Sequence, residues 1–139
     1  TSWPGRLENF DQGVYLDGAH NPHAVAPLVA TMKERYGQLD KQVLFTCIQT
    51  KAIEEMLELW SGLKKSQLTL TTFEDSRAYS VRDMQEIAHQ KGLPYQEWKV
   101  FLTQYLERES QQSDLLLVTG SLYFLAQVRA FLIEEISRR

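Results

Sequence analysis

The sequence predicts an α/β fold: a Rossmann-like, mainly parallel sheet with helices on both faces. Three observations carry this. Apolar strand-like runs alternate at short spacing with amphipathic segments. Residues 43–48 and 115–118 are almost continuously apolar, as strands covered on both faces must be. No repeat, low-complexity tract or Gly/Ser linker divides the 139 residues, a length that suits one domain with a real core.

The elements follow in order. Residues 7–10 and 14–16, joined through Gln12-Gly13, read as a hairpin that ends at Asp17. Asn21-Pro22 reads as an N-cap followed by a first helical residue, where a missing N–H costs nothing. Ala24, Leu28, Met32 and Tyr36 then repeat near helical spacing until Gly37. Residues 43–48 form the next strand. Ile53, Met56, Leu57, Trp60 and Leu63 mark a second helix. Residues 68–73 alternate with threonine and read as a strand. Residues 81–90 form a third helix stopped by Lys91-Gly92. Residues 95–98 are expected to make a short strand. Phe101, Leu102, Tyr105 and Leu106 mark a fourth helix, residues 115–118 a buried strand and residues 122–136 a long final helix.

Composition excludes several functions. Fifteen Lys+Arg against eighteen Asp+Glu give a net charge of −3, which supplies no electrostatic footprint for nucleic acid or an anionic membrane. One cysteine permits neither an internal disulfide nor a thiolate zinc site, and suits a reducing, cytoplasmic setting. No apolar run is long enough to form a membrane-spanning helix. The G-x-G-x-x-G, G-x-x-x-x-G-K-[ST] and G-x-S-x-G signatures are all missing, so no dinucleotide fingerprint, P-loop or nucleophile elbow is present.

In open α/β sheets ligands gather at the carboxyl ends of the strands. Two segments fall there: Asp17-Gly18-Ala19-His20-Asn21-Pro22 and Thr119-Gly120-Ser121. From position alone, Asp17 is equally a hydrogen-bond acceptor for a sugar or nucleotide hydroxyl and an Asx-turn residue. His20 could serve as a general base, although a loop histidine standing alone is more often simply solvated. Asn21 is most simply an N-cap, with helix N–H groups beside it that suit an anion. Ser121 caps the last helix in the plainest reading, and the Gly beside it suits close approach of a ligand. Arg6 carries a guanidinium suited to phosphate. Cys47, Trp60 and Trp98 read as packing, and Glu54, Glu55 and Glu58 as a solvated helix face.

Three separated motifs together resemble one family. Trp3-Pro4-Gly5-Arg6-Leu7-Glu8, Tyr15-Leu16-Asp17-Gly18-Ala19-His20-Asn21-Pro22 and Val118-Thr119-Gly120-Ser121-Leu122-Tyr123-Phe124 look like the C-terminal domain of folylpolyglutamate synthase/dihydrofolate synthase, a branch of the Mur ligase superfamily. Phe73-Glu74-Asp75-Ser76-Arg77-Ala78 resembles the family's middle segment more loosely. The resemblance implies a domain over residues 1–139, with residues 1–6 a remnant of an interdomain linker, and an N-terminal ATPase domain absent from this chain. The first residue, threonine rather than methionine, fits that expectation.

The implied activity is ATP-dependent ligation. A folate or dihydropteroate carboxylate is activated as an acyl phosphate, and the amino group of L-glutamate attacks it. The resemblance assigns ATP contacts to Arg6, Asp17 and His20, with His20 at the lobe interface as the catalytic residue. It assigns glutamate contacts to Ser121 and Asn21. It implies no metal ligand here, because Mg2+ would be held in the missing domain. The isolated chain is expected to be a monomer without activity of its own. The family often carries a Lys-Asp pair after the second strand, where this chain has Ile48-Gln49-Thr50-Lys51-Ala52; Lys51 could partly substitute. Three other readings compete: a Mur-type amino-acid ligase domain acting on a cell-wall precursor, a free-standing nucleotide-binding α/β module, and a non-catalytic interaction domain, of which an exposed apolar face would be the sign.

Overall fold

The computed structural model describes residues 7–11, 13–108 and 114–139, with only the backbone for Asp11. Along the chain run β1 (Glu8–Asp11), β2 (Val14–Asp17), α1 (Pro22–Tyr36), β3 (Asp40–Phe45), α2 (Ile53–Ser61), β4 (Ser66–Leu70), α3 (Val81–Lys91), α4 (Trp98–Glu107), β5 (Asp114–Thr119) and α5 (Leu122–Arg138). The sheet order is β1-β2-β5-β3-β4. The pairs β2·β5, β5·β3 and β3·β4 are parallel, and β1 closes one edge as the antiparallel arm of a hairpin. The α/β class and the helices on both faces stand as expected.

Side-chain alternation along the strands divides the core in two. Val43, Phe45, Leu115 and Leu117 face one way, onto Val25, Val29 and Met32 of α1, Met56 and Trp60 of α2, and Met84 of α3. Val14, Leu16, Leu44, Leu116 and Val118 face the other way, onto Leu102 and Leu106 of α4 and Phe124, Val128 and Leu132 of α5. The strand β5 contributes to both layers, and its leucines and Val118 are all buried. That explains its unbroken apolar run and its central position. Trp60 and Trp98 are packing anchors, 2% and 4% exposed. Trp98 meets Phe124 and Phe131 edge-on.

Three expected strands end differently. β3 stops at Phe45 and β4 at Leu70. Beyond them the two chains leave the ladder and bond to each other as loops. Residues 95–98 do not form a strand: Tyr95 makes a single parallel bridge to Leu70, and Trp98 opens α4 with Glu97 as its cap. Glu97 accepts from both Lys99 N and Val100 N, which turns the chain into helix at once. Cys47 lies just past β3, fully buried, where burial pushes its thiol up to about 12. It is therefore packing and no nucleophile.

Candidate functional site at the carboxyl end of the sheet

The helices α1 and α2 lie on one face and α5 on the other, so the connections leaving β2, β5 and β3 diverge around β5. This is the switch-point geometry that opens ligand crevices. The register aligns Asp17 with Thr119 and Thr119 with Phe45. The two segments singled out in the sequence therefore meet. Thr119 Oγ1 donates to the Ala19 carbonyl at 3.3 Å, and Gly120 N donates to the Asp17 carbonyl at 3.4 Å.

The Asp17 side chain organises this junction. Its Oδ1 accepts from Ala19 N at 2.9 Å, the Asx-turn expected as the plain reading. Its Oδ2 accepts from Leu7 N at 2.7 Å, ten residues upstream. Leu7 has φ +39°, a left-handed conformation that costs an L-residue about 1–2 kcal/mol. The carboxylate is what holds this strained entry into β1 in place. No pattern in the sequence announces that bond.

Asn21 caps α1 as expected: its Oδ1 accepts from Ala24 N at 2.9 Å. Ser121 caps α5 by accepting from Tyr123 N at 3.1 Å, and it is 5% exposed. Two long helices thus point their N-termini, with positive dipole ends, at one junction. His20 is exposed, with Nδ1 2.9 Å from the Gly18 carbonyl oxygen. The structure brings Asp17, Asn21 and Ser121 onto adjoining loops, with His20 on the rim. Arg6 lies outside the described residues.

Gly120 fixes how closely the loops approach. Its φ is +144°, and a Cβ placed there would sit 2.2 Å from the Thr46 carbonyl oxygen. Only glycine lets the β5–α5 turn lie flat against the end of β3. The loops after β3 and β4 are joined as well. Gln49 N donates to the Arg77 carbonyl and Gln49 Nε2 to the Ala78 carbonyl. The Tyr79 hydroxyl donates to the Thr50 carbonyl and accepts from Thr50 N. This ties down residues 48–52, and leaves Lys51 exposed with no side-chain hydrogen bond or ion pair among the described residues.

A further constellation on this rim was not assigned a role from the sequence. Asp75 accepts from Arg77 Nε and Nη2, both at 2.8 Å, and from Arg77 N at 2.9 Å. These side-chain and backbone bonds hold the Asp75 carboxyl down at about 2. The Arg77 guanidinium lies 4.0 Å from the ring centroid of Tyr123. The signal in the sequence was the Phe73–Ala78 string; its partner, 46 residues away, was not legible.

Among the described residues, no group of three His, Cys, Asp or Glu side chains is gathered in a way that could hold a metal ion. No described helix is long and apolar enough to cross a membrane.

Comparison with known proteins agrees with this architecture. The chain is 29% identical over 130 residues to a dihydrofolate synthase/folylpolyglutamate synthase of Bacillus subtilis, covering 92% of this chain and 30% of that protein. It superposes on E. coli FolC in complex with ADP with a TM-score of 0.78 at 21% identity, over 97% of this chain and 33% of the other. It superposes on the bifunctional folylpolyglutamate synthase/dihydrofolate synthase of Yersinia pestis complexed with AMPPNP and Mn ion with a TM-score of 0.76 at 24% identity, over 94% and 32%. The chain thus spans about a third of the length of these relatives. The model of the glutamate ligase domain of Mur ligases matches residues 5–122, both carboxyl-end loops included, and the chain belongs to that family.

Proposed function

We propose that this chain is the C-terminal domain of an ATP-dependent folate:glutamate ligase, joining L-glutamate to a folate or dihydropteroate carboxylate. The observation that carries the reading is the junction itself. The Asp17–Pro22 and Thr119–Ser121 segments, 100 residues apart, are hydrogen-bonded together at the switch point of a chain matched to the glutamate ligase domain.

The donor set fits a nucleotide and an amino acid. A carboxylate has about four acceptor positions, so shaping the loop and accepting a ribose hydroxyl are compatible roles for Asp17. The N-termini of α1 and α5 favour anionic groups, phosphate or carboxylate. Ser121 and Asn21 each use a side-chain oxygen as a cap; the Ser121 O–H and the Asn21 amide NH2 remain donors suited to a glutamate carboxylate. His20, on the exposed rim, would meet ATP and the incoming glutamate where a second lobe closes. Arg6, one residue before Leu7, would meet developing negative charge on the phosphates. Acyl phosphates hydrolyse, so closure against a second lobe is needed to exclude water. Mg2+ and the folate would be held by that lobe, and the 139-residue chain alone would not turn over.

The test is the complete reading frame. Its product, purified, is expected to incorporate radiolabelled glutamate into dihydropteroate or a tetrahydrofolate only when ATP and Mg2+ are present. The 139-residue chain is expected to incorporate none. A full-length product inert towards both acceptors overturns the reading, and turnover by the short chain overturns the two-lobe account.

A further inference from the structure

The loop between β4 and α3 touches the start of α5 at three places. Phe73 packs on Phe124 with ring centroids 5.4 Å apart. The Glu74 carbonyl accepts from Gln127 Nε2 at 2.9 Å. Arg77 lies over Tyr123 at 4.0 Å. The third contact differs from the others in where it leads. Tyr123 is the residue whose N–H donates to Ser121 Oγ. Tyr123 as a whole is 57% exposed, so core packing alone does not hold it. What holds it is a guanidinium that is itself immobilised. Asp75 takes two side-chain donors and the backbone N–H of Arg77, and the Arg77 carbonyl is bonded to Gln49 N on the β3–α2 loop. A planar fork fixed in this way stacks on an aromatic face as an ammonium does not.

We infer that Arg77 is a positioning residue: clasped by Asp75, it fixes Tyr123 and through it the first turn of α5, so that the buried Ser121 hydroxyl is held in one orientation towards the substrate. The proposal rests on the glutamate reading of Ser121 given above. The Ser121 oxygen accepts from Tyr123 N–H, so the direction left to its own proton is set by where that N–H sits. A loosened Tyr123 lets the hydroxyl turn and weakens recognition of glutamate without touching the nucleotide loop at Asp17.

The experiment has two arms. In the 139-residue chain, hydrogen exchange of the Tyr123 amide is followed by NMR. Arg77→Leu and Tyr123→Ala are expected to speed exchange at the first turn of α5, Leu122 to Leu125, about three- to tenfold. Tyr123→Phe, which keeps the ring, is expected to leave it unchanged, and Arg77→Lys to fall between. Unchanged exchange in Arg77→Leu overturns the clasp. In the full-length protein, Arg77→Leu is expected to raise the KM for glutamate about three- to tenfold, with kcat and the KM for ATP within twofold. A merely structural loss would move all three together, and that result overturns the proposal, as does an unmoved glutamate KM. Ser121→Ala is the control for the underlying reading. If it too leaves the glutamate KM unmoved, the assignment of Ser121 has failed; if it raises the KM while Arg77→Leu does not, the clasp alone has failed.

Discussion

At the carboxyl end of the sheet, loops from different parts of the chain bond to one another: Leu7 to Asp17, Thr119 to Ala19, Gln49 to Arg77, Tyr79 to Thr50. At the amino end, charged side chains are satisfied mainly by backbone carbonyls and by one another. The buried Lys41 ammonium donates to the carbonyls of Tyr36 and Leu39, and Lys65 donates to that of Gln38. Burial, and then the nearby Lys65 charge, lowers the Lys41 pKa. Arg108 pairs with Asp114 at 3.1 Å and stacks on Tyr105, while the buried Tyr105 hydroxyl has no partner among the described residues. The difference teaches where positional accuracy is maintained. Bonds between loops fix geometry that no single segment can fix; the amino end has one from Lys65 to Gln38, and more of them gather at the end where the ligand crevice opens. The amino end only has to close the core.

Two glycines put this contrast to its hardest test. Gly120→Ala must move the Thr46 carbonyl or the turn, and should cost about 3 kcal/mol in urea unfolding. Gly13, at the amino end, has φ +79° but no atom nearer than 3.5 Å to an added Cβ. Gly13→Ala should cost only the conformational penalty, about 1 kcal/mol. Equal losses would break the distinction between the ends.

Next in size is Asp17→Ala, which orphans the N–H groups of Leu7 and Ala19 and should cost about 2 kcal/mol by the same measurement. The matching change at the other end is Tyr105→Phe. It removes a hydroxyl that bonds to nothing described, so the midpoint should shift by under about 0.5 kcal/mol. A large loss there would show that the amino end, too, depends on a directed polar bond.

The smallest effect concerns pH. The Asp75 carboxyl is held at about 2 in the folded chain, below the ordinary value of about 3.9. A depressed carboxyl contributes stability fully above the unfolded value and loses it as pH falls through the folded one. Tyr123 ring shifts should therefore stay constant from pH 8 to pH 5 and change only as pH drops towards 2. A transition near pH 6 would place a different group in control of the clasp.

Much of this was legible in the sequence. The hairpin, all five helices and the buried run of β5 follow from periodicity and caps. Asn21 and Ser121 stand at the N-caps where their side-chain chemistry places them. The ends of β3 and β4 were not legible, because Thr46, Cys47, Thr71 and Thr72 are as buried as strand residues. Composition records burial and does not record which neighbour takes the hydrogen bonds. The same holds at the site. Asp17 could be marked as a loop residue at a strand end. Its grip on Leu7 depends on a left-handed backbone that leucine does not advertise, and the Arg77–Tyr123 contact joins residues on separate elements.

The place of β5 also constrains how the molecule is made. It sits between β2 and β3, yet of the five described strands it is the last to leave the ribosome. Until it arrives, the β1–β2 hairpin and the β3–β4 pair have no common partner, and the apolar edges they present are open. Assembly of the sheet is therefore a late, long-range event rather than a stepwise zipping. A chain cut short before Asp114 would lose the centre of its fold, not its margin, and would be exposed to aggregation through those two edges.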